Sequence, residues 1–283
     1  MPAEERRGAL PRSAVSQSCT VTWWGHATVE VRLDGVRLVT DPLLRARVGP
    51  LHSRGHRPRQ RTSPGAEPAL AGVDAVLLSH LHRDHTDLPS LRRFPRSTRV
   101  LAPAGAGRVV RRTVQGAVEE LPSGSTTGVG PVRVTATPAV HDGRRDRRGP
   151  WAEAVGYLVE GSRTVYFAGD TDLFVGMADL PGDAGIDVAL LPVSGWGLTL
   201  GDGHMGAVEA AEAVALLRPR LAVPVHWGTL RIPVAWRARR SHLLGVADRF
   251  AELVAERSPG TTVVVPVPGR PIAEPAPTAG EAS

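Results

Sequence analysis

The sequence predicts a layered fold of the α/β or α+β class, and three observations carry that prediction. Short apolar, β-rich runs recur along most of the chain, each bounded by turn residues. Helical periodicity is confined to two late segments, 206–217 and 239–257. Gly (31) and Pro (25) are frequent among the 283 residues, which suits many short elements joined by tight turns. Strand-rich halves closed by helices bury their apolar faces by stacking in layers.

In chain order, residues 1–18 are polar, lack periodicity and read as a disordered N-terminal tail. Residues 269–283 read as a matching C-terminal tail, leaving 19–268 as one domain with no internal linker or repeat. Thr20–Trp24, Thr28–Leu33 and Val36–Thr40 are expected strands, and Asp34-Gly35 is a two-residue hairpin signal. A basic, Pro-containing loop covers 45–68, after which Ala75–Ser79 reads as a buried strand. Further strands are expected at Arg99–Ala102, Val118–Leu121, Val132–Thr137, Val155–Glu160, Thr164–Ala168, Val188–Pro192, Leu221–Val225 and Thr262–Val267. The late helices show apolar spacings of three and four, as at Leu243, Val246, Ala247, Phe250, Leu253 and Val254, with Gly260 as a stop.

A content of 42% hydrophobic residues is enough for a sizeable core, filled mainly by aliphatic side chains because aromatics are 4%. No apolar run approaches the roughly 20 residues of a membrane span, and the first residues lack a secretory signal, so a cytosolic protein is expected. The single cysteine, Cys19, excludes an internal disulfide and a thiolate cluster, so any metal must be held by His, Asp or Glu. The net charge of +6 points only weakly to nucleic acid. Every basic residue is Arg, and Lys and Asn are absent, a pattern of GC-rich coding rather than of polyanion binding.

The chemistry is concentrated in His80-Leu81-His82-Arg83-Asp84-His85. His80 and His82 would point nearly opposite ways on a helix, so both reach one metal only from a turn leaving the strand at 75–79. Asp84 and His85 follow where a helix is expected to begin, and Asp84 is a candidate cap. Three imidazoles and a carboxylate within six residues serve no packing purpose and suit a divalent metal. Asp41-Pro42, His141, Asp170 in Phe167-Ala168-Gly169-Asp170-Thr171, and His226 in Pro224-Val225-His226-Trp227-Gly228 each follow an expected strand.

In these motifs, taken in order, the chain resembles the metallo-β-lactamase superfamily over roughly residues 20–268. The resemblance implies a four-layered αββα sandwich in a single domain and two divalent ions, Zn²⁺ first, with Mn²⁺ or Fe²⁺ as alternatives. One ion would take His80, His82 and His141, the other Asp84, His85 and His226, with Asp170 and a water as bridges. The implied activity is hydrolysis of a phosphodiester, lactone or ester by the bridging hydroxide, with Asp84 among the catalytic residues. Asp41 would orient a ligand imidazole through its free N–H. The Trp-x-Gly-His-x-Thr opening, Gly-His-Met segment and His-Trp-Gly-Thr ending resemble the branch of ascorbate-6-phosphate lactonases and N-acyl-phosphatidylethanolamine phospholipases D. There the resemblance places His26 on the substrate side and His204 as a donor or acid for the leaving group. Gly206-Ala207 before Glu209 depart from that branch, which has Pro and an acidic pair.

Arg144 and Arg145 begin three residues after His141 and are expected to meet an anionic group of the substrate. Of the other Arg-rich stretches, 45–61 and 237–240, the second reads as solvated surface. The leading expectation is a hydrolase of a small anionic molecule, compatible with a homo-oligomer. A nuclease and a non-catalytic scaffold of the same fold are the alternatives, distinguished by salt-dependent polynucleotide binding and by metal content.

Overall fold

The computed structural model describes residues 19–45, 47–48, 52–54, 69–180, 182, 184–195, 200–231 and 233–273, with side chains left out at 47, 52–54, 231 and 233–244. The expected N-terminal tail, most of the loop at 45–68 and the arginine side chains at 237–240 lie outside what is described.

The first half contains β1 (Thr20–Gly25), β2 (Thr28–Leu33), β3 (Val36–Thr40), β4 (Arg47–Val48), β5 (His52–Arg54) and β6 (Ala75–Leu77). It continues with α1 (Leu88–Leu91), β7 (Arg99–Ala102), α2 (Gly107–Val110) and β8 (Val118–Glu120). The second half contains β9 (Thr126–Val129), β10 (Val132–Pro138), β11 (Val155–Glu160), β12 (Thr164–Phe167), β13 (Val188–Pro192) and α3 (Ala207–Leu217). After these come β14 (Leu221–Val225), β15 (Leu230–Arg231), α4 (Pro233–Arg257), β16 (Thr262–Val263) and β17 (Pro271–Ala273).

Two seven-stranded mixed sheets result, ordered β17-β1-β2-β3-β6-β7-β8 and β16-β14-β13-β12-β11-β10-β9. Residues of both, among them Trp23, Val31, Leu38, Tyr157, Phe167 and Leu190, share one buried cluster between the sheets. The other face of the first sheet packs under α1 and α2 through Val76, Leu78, Leu91 and Val110. The other face of the second sheet packs under α3 and α4 through Tyr166, Leu191, Val214 and Phe250. Helix, sheet, sheet and helix form the four layers of a single domain. The central parallel strands β13 and β14 are buried at every position, as strands covered on both faces must be.

Several boundaries differ from expectation. Residues 271–273, expected within the C-terminal tail, instead form β17, antiparallel to β1 with Val21 opposite Ile272. A three-residue strand on an edge carries too little pattern to be read from sequence. The strand expected at Thr262–Val267 stops at Val263. No helix begins at Asp84; α1 starts at Leu88, capped by Asp87, whose carboxylate accepts from Ser90 N at 3.1 Å.

Asp34-Gly35 form the expected turn, with φ of 51° and 82° and Leu33 opposite Val36. The Asp34 carboxylate then accepts from Ser162 N at 2.6 Å and Ser162 Oγ at 2.5 Å, tying the β2–β3 hairpin to the β11–β12 hairpin of the other sheet. Asp34→Ala is expected to lose about 1–3 kcal/mol and to melt about 2–4 °C lower per kcal/mol lost, with Asp34→Asn close to wild type. Calorimetric scans of the three proteins check this, and equal melting of D34A and wild type would remove the latch from the account.

Candidate metal centre

The site is built where strands of both sheets end. β3 delivers Asp41, β6 delivers the loop 80–86, β10 leads to His141, β12 to Asp170, and β14 to His226. His26 sits in the β1–β2 turn and His204 just before α3. Three of these residues have left-handed backbone without being glycine: His26 (φ 54°), Asp41 (φ 33°) and His226 (φ 62°). Such positions cost about 1–3 kcal/mol each and persist where surrounding bonds over-determine them. The carbonyl of His26 accepts from Trp23 Nε1 at 2.7 Å and His226 N at 3.0 Å, and Trp23 stacks on Trp227.

Four of the imidazoles, those of His80, His85, His141 and His226, have one nitrogen committed elsewhere. Ser79 Oγ donates to Asp41 Oδ2 at 2.5 Å and therefore accepts from His80 Nδ1 at 2.9 Å. His85 Nδ1 donates to the same Asp41 oxygen at 2.7 Å. His141 Nδ1 donates to Gly203 O at 2.8 Å, and His226 Nδ1 to Ser194 O at 2.6 Å. In these tautomers, inferred from the bonding network, all four Nε2 atoms present lone pairs.

Those lone pairs converge. His80 Nε2 and His141 Nε2 lie 2.9 and 3.1 Å from His82 Nδ1, which can offer a proton to one of them at most. His85 Nε2 and His226 Nε2 face each other at 3.2 Å. Between the two groups stands Asp170, whose Oδ2 is 3.2 Å from His85 Nε2, 3.3 Å from His226 Nε2 and 3.6 Å from His204 Nε2. Asp84 Oδ2 is 3.7 Å from His85 Nε2 and 3.9 Å from His226 Nε2.

This donor set fits a pair of divalent cations on three counts. The nitrogens of His80 and His141 stand 2.9 and 3.1 Å from His82 Nδ1, near the roughly 3.3 Å edge of a tetrahedron with bonds of about 2.0–2.1 Å. Asp84, His85 and His226 offer a second group of donor atoms, with His26 beside them. Asp170 Oδ1 is buried without a hydrogen-bond partner, an arrangement costly for a carboxylate unless a cation meets it.

Electrostatics agree. Burial pushes His141 down to about 4 and His80 well below its ordinary value, so both rings are neutral donors. Burial would raise Asp84 and Asp170, but neighbouring imidazoles, His85 first for Asp84 and His226 first for Asp170, hold both well below the carboxylate range. Burial disfavours charge on His85 too, yet Asp170, Asp84 and Asp41 raise it well above 6.5. The carboxylates thus call for positive charge at His85 Nε2, where a second cation would sit.

His26, expected on the substrate side, is buried and bridges Asp84 Oδ2 at 3.0 Å and Thr229 Oγ1 at 3.1 Å. Burial, with His226 next, pushes it down to about 3. It therefore positions Asp84 instead of facing solvent. His204 Nδ1 lies 3.1 Å from the carbonyls of Gly201 and Asp202, and its ring packs edge-on to His141. Arg144 is exposed, with Nε 3.9 Å from Asp142. Arg145, expected to meet an anionic substrate group, donates from Nη1 to Leu81 O and Thr86 O. Sequence reasoning missed Ser79 and Thr229, which hold His80 and His26; only the adjacency of Ser79 to His80 hinted at either.

Gly169 has φ +63°, and a Cβ there would stand 2.7 Å from Ser79 Cβ and 3.0 Å from Val155 O. Gly169→Ala is therefore expected to destabilise the fold by more than the roughly 1–3 kcal/mol of backbone strain alone, and to displace Asp170. Melting temperature and bound metal should fall together; a variant unchanged in both would contradict this geometry.

Comparison with known proteins places the chain. Residues 36–227 match the family model described as beta-lactamase superfamily domain. An uncharacterized protein of Mycobacterium tuberculosis is 32% identical over 93% of this chain and 69% of its own. A UPF0173 metal-dependent hydrolase of Opitutus terrae is 32% identical over 87% of this chain and 99% of its own. The solved metallo hydrolase Igni18 of Ignicoccus hospitalis superposes with TM-score 0.68 at 23% identity, covering 91% of this chain and 99% of that one. With its model match running from β3 through His226, the chain belongs to the metallo-β-lactamase superfamily.

Proposed function

We propose that the protein is a metal-dependent hydrolase with a dinuclear centre, acting on a phosphodiester, lactone or ester of a small anionic substrate. The observation that carries this reading is Asp170, which faces His85 and His226 on one side and groups with His141 on the other, with one carboxylate oxygen buried and unpartnered. The printed name of the Opitutus terrae relative, a metal-dependent hydrolase, supports it.

His80, His82 and His141 would hold one ion, Asp84, His85 and His226 the other, with Asp170 bridging. Bound there, two divalent ions, Zn²⁺ foremost, supply Lewis acidity and lower the pKa of a coordinated water to about 7. Asp41 keeps the protons of His85 and, through Ser79, of His80 on the nitrogens turned away from the ions. His26 holds Asp84 by one oxygen. His204 reaches the same space through Nε2, 3.6 Å from Asp170, and is partly exposed, so it can bond or protonate a departing oxygen. Arg144, exposed three residues after His141, is the guanidinium available to an anionic group on the substrate.

The test is metal content together with turnover of bis-4-nitrophenyl phosphate, a neutral aryl ester and an aryl lactone. Wild type is expected to bind about two ions per chain, and Asp84→Ala one, with nearly all turnover lost. His204→Ala should keep both ions and lower kcat by about 10²–10⁴. Full activity of D84A would exclude the dinuclear mechanism, and absence of bound metal after exposure to Zn²⁺ and Mn²⁺ would leave a scaffold.

A further inference from the structure

The loop that follows His141 and the loop 80–86 are interlocked from both sides. Arg145 Nη1 donates to Leu81 O at 3.1 Å and Thr86 O at 2.9 Å, the two carbonyls that bracket His82, Asp84 and His85. In return Arg83, which lies between His82 and Asp84, forms a forked pair with Asp146 at 2.7 and 2.8 Å. The far ends are fixed as well. Arg145 N donates to Pro150 O and Gly149 N to Asp146 O, closing the 145–150 loop. Thr86 Oγ1 donates to His80 O, and Thr86 N to His82 O, closing the 80–86 loop.

We infer that Arg145 is a positioning residue for metal binding, setting the affinity of the His80–His82–His141 site. That site is the one whose donors come from both loops, so it depends on how the loops stand relative to each other. His141 and Arg145 are four residues apart, and the contact between His141 Nε2 and His82 Nδ1 spans the same seam that Arg145 bridges. The arm made by Arg145 is half-buried, whereas the Arg83–Asp146 arm is exposed and screened by solvent. Salt screens partly buried interactions much less than exposed ones, forked or not. The inner arm therefore dominates. Asp84 and His85 share the braced 80–86 loop, but with His226 they do not span the seam, so their ion should be weakened less. The inference rests on the proposed metal centre.

The test loads wild type, Arg145→Ala, Arg145→Lys, Arg83→Ala and Arg144→Ser with Zn²⁺ and follows its transfer to a chromogenic chelator, with melting of the metal-free proteins alongside. In R145A one of the two ions should transfer at about 10–100-fold lower chelator concentration, as for loss of other groups that orient ligands, while the second shifts much less. R145K, with three donors on one nitrogen but a shorter reach, should lie between. R83A should shift the same ion less, and keeps the inference testable if R145A does not fold. R144S should release both ions as wild type does. Wild-type transfer of both ions from R145A, or an equal weakening of both ions in step with metal-free melting, would overturn the inference while leaving the metal centre standing. A wild-type protein that takes up no Zn²⁺ would overturn both.

Discussion

A buried imidazole offers a lone pair only when its other nitrogen keeps the proton, and the architecture around this site is organised by that requirement. Asp41 is the hub. One carboxylate accepts from the Ser79 backbone, the Ser79 hydroxyl and His85 Nδ1, and through Ser79 it also fixes His80. Backbone carbonyls of Gly203 and Ser194 do the same for His141 and His226. These acceptors come from both sheets, so the donors keep their aim only while the sandwich is intact.

The constraint explains where the chain departs from relaxed geometry. Left-handed backbone at His26, Asp41 and His226 lets each strand end turn its side chain inward. The largest apolar clusters among the described residues, one between the sheets and one outside each, supply the stability that such strain subtracts. A carboxylate such as Asp170, buried among imidazoles with one oxygen unpartnered, is poorly placed for stability alone. It is well placed to bridge cations.

Much of this was legible in the sequence. The spacing His80-x-His82-x-Asp84-His85 excludes a helix by geometry, and the resemblance to the metallo-β-lactamase superfamily implies the other donors, His141, Asp170 and His226. The strands of both sheet centres are apolar and punctuated by turns, so most bounds lie within a residue of expectation. Other features depend on partners distant in sequence and carry no local signal. Whether Arg145 reaches outward or under the neighbouring loop depends on carbonyls 59 and 64 residues away. The partners of His26 are 58 and 203 residues away, which is why it read as a substrate contact. β17 is three residues of an apparent tail that become a strand because β1 offers an unpaired edge.

The central claim is that two groups of donors, joined by Asp170, hold two cations. Anomalous diffraction from crystals grown with Zn²⁺, recorded on either side of the zinc edge, tests it most directly. The account predicts two peaks about 3.5–4 Å apart, one among His80, His82 and His141, the other among Asp84, His85 and His226, with Asp170 between them. A single peak, or none at these residues in fully loaded protein, would contradict it.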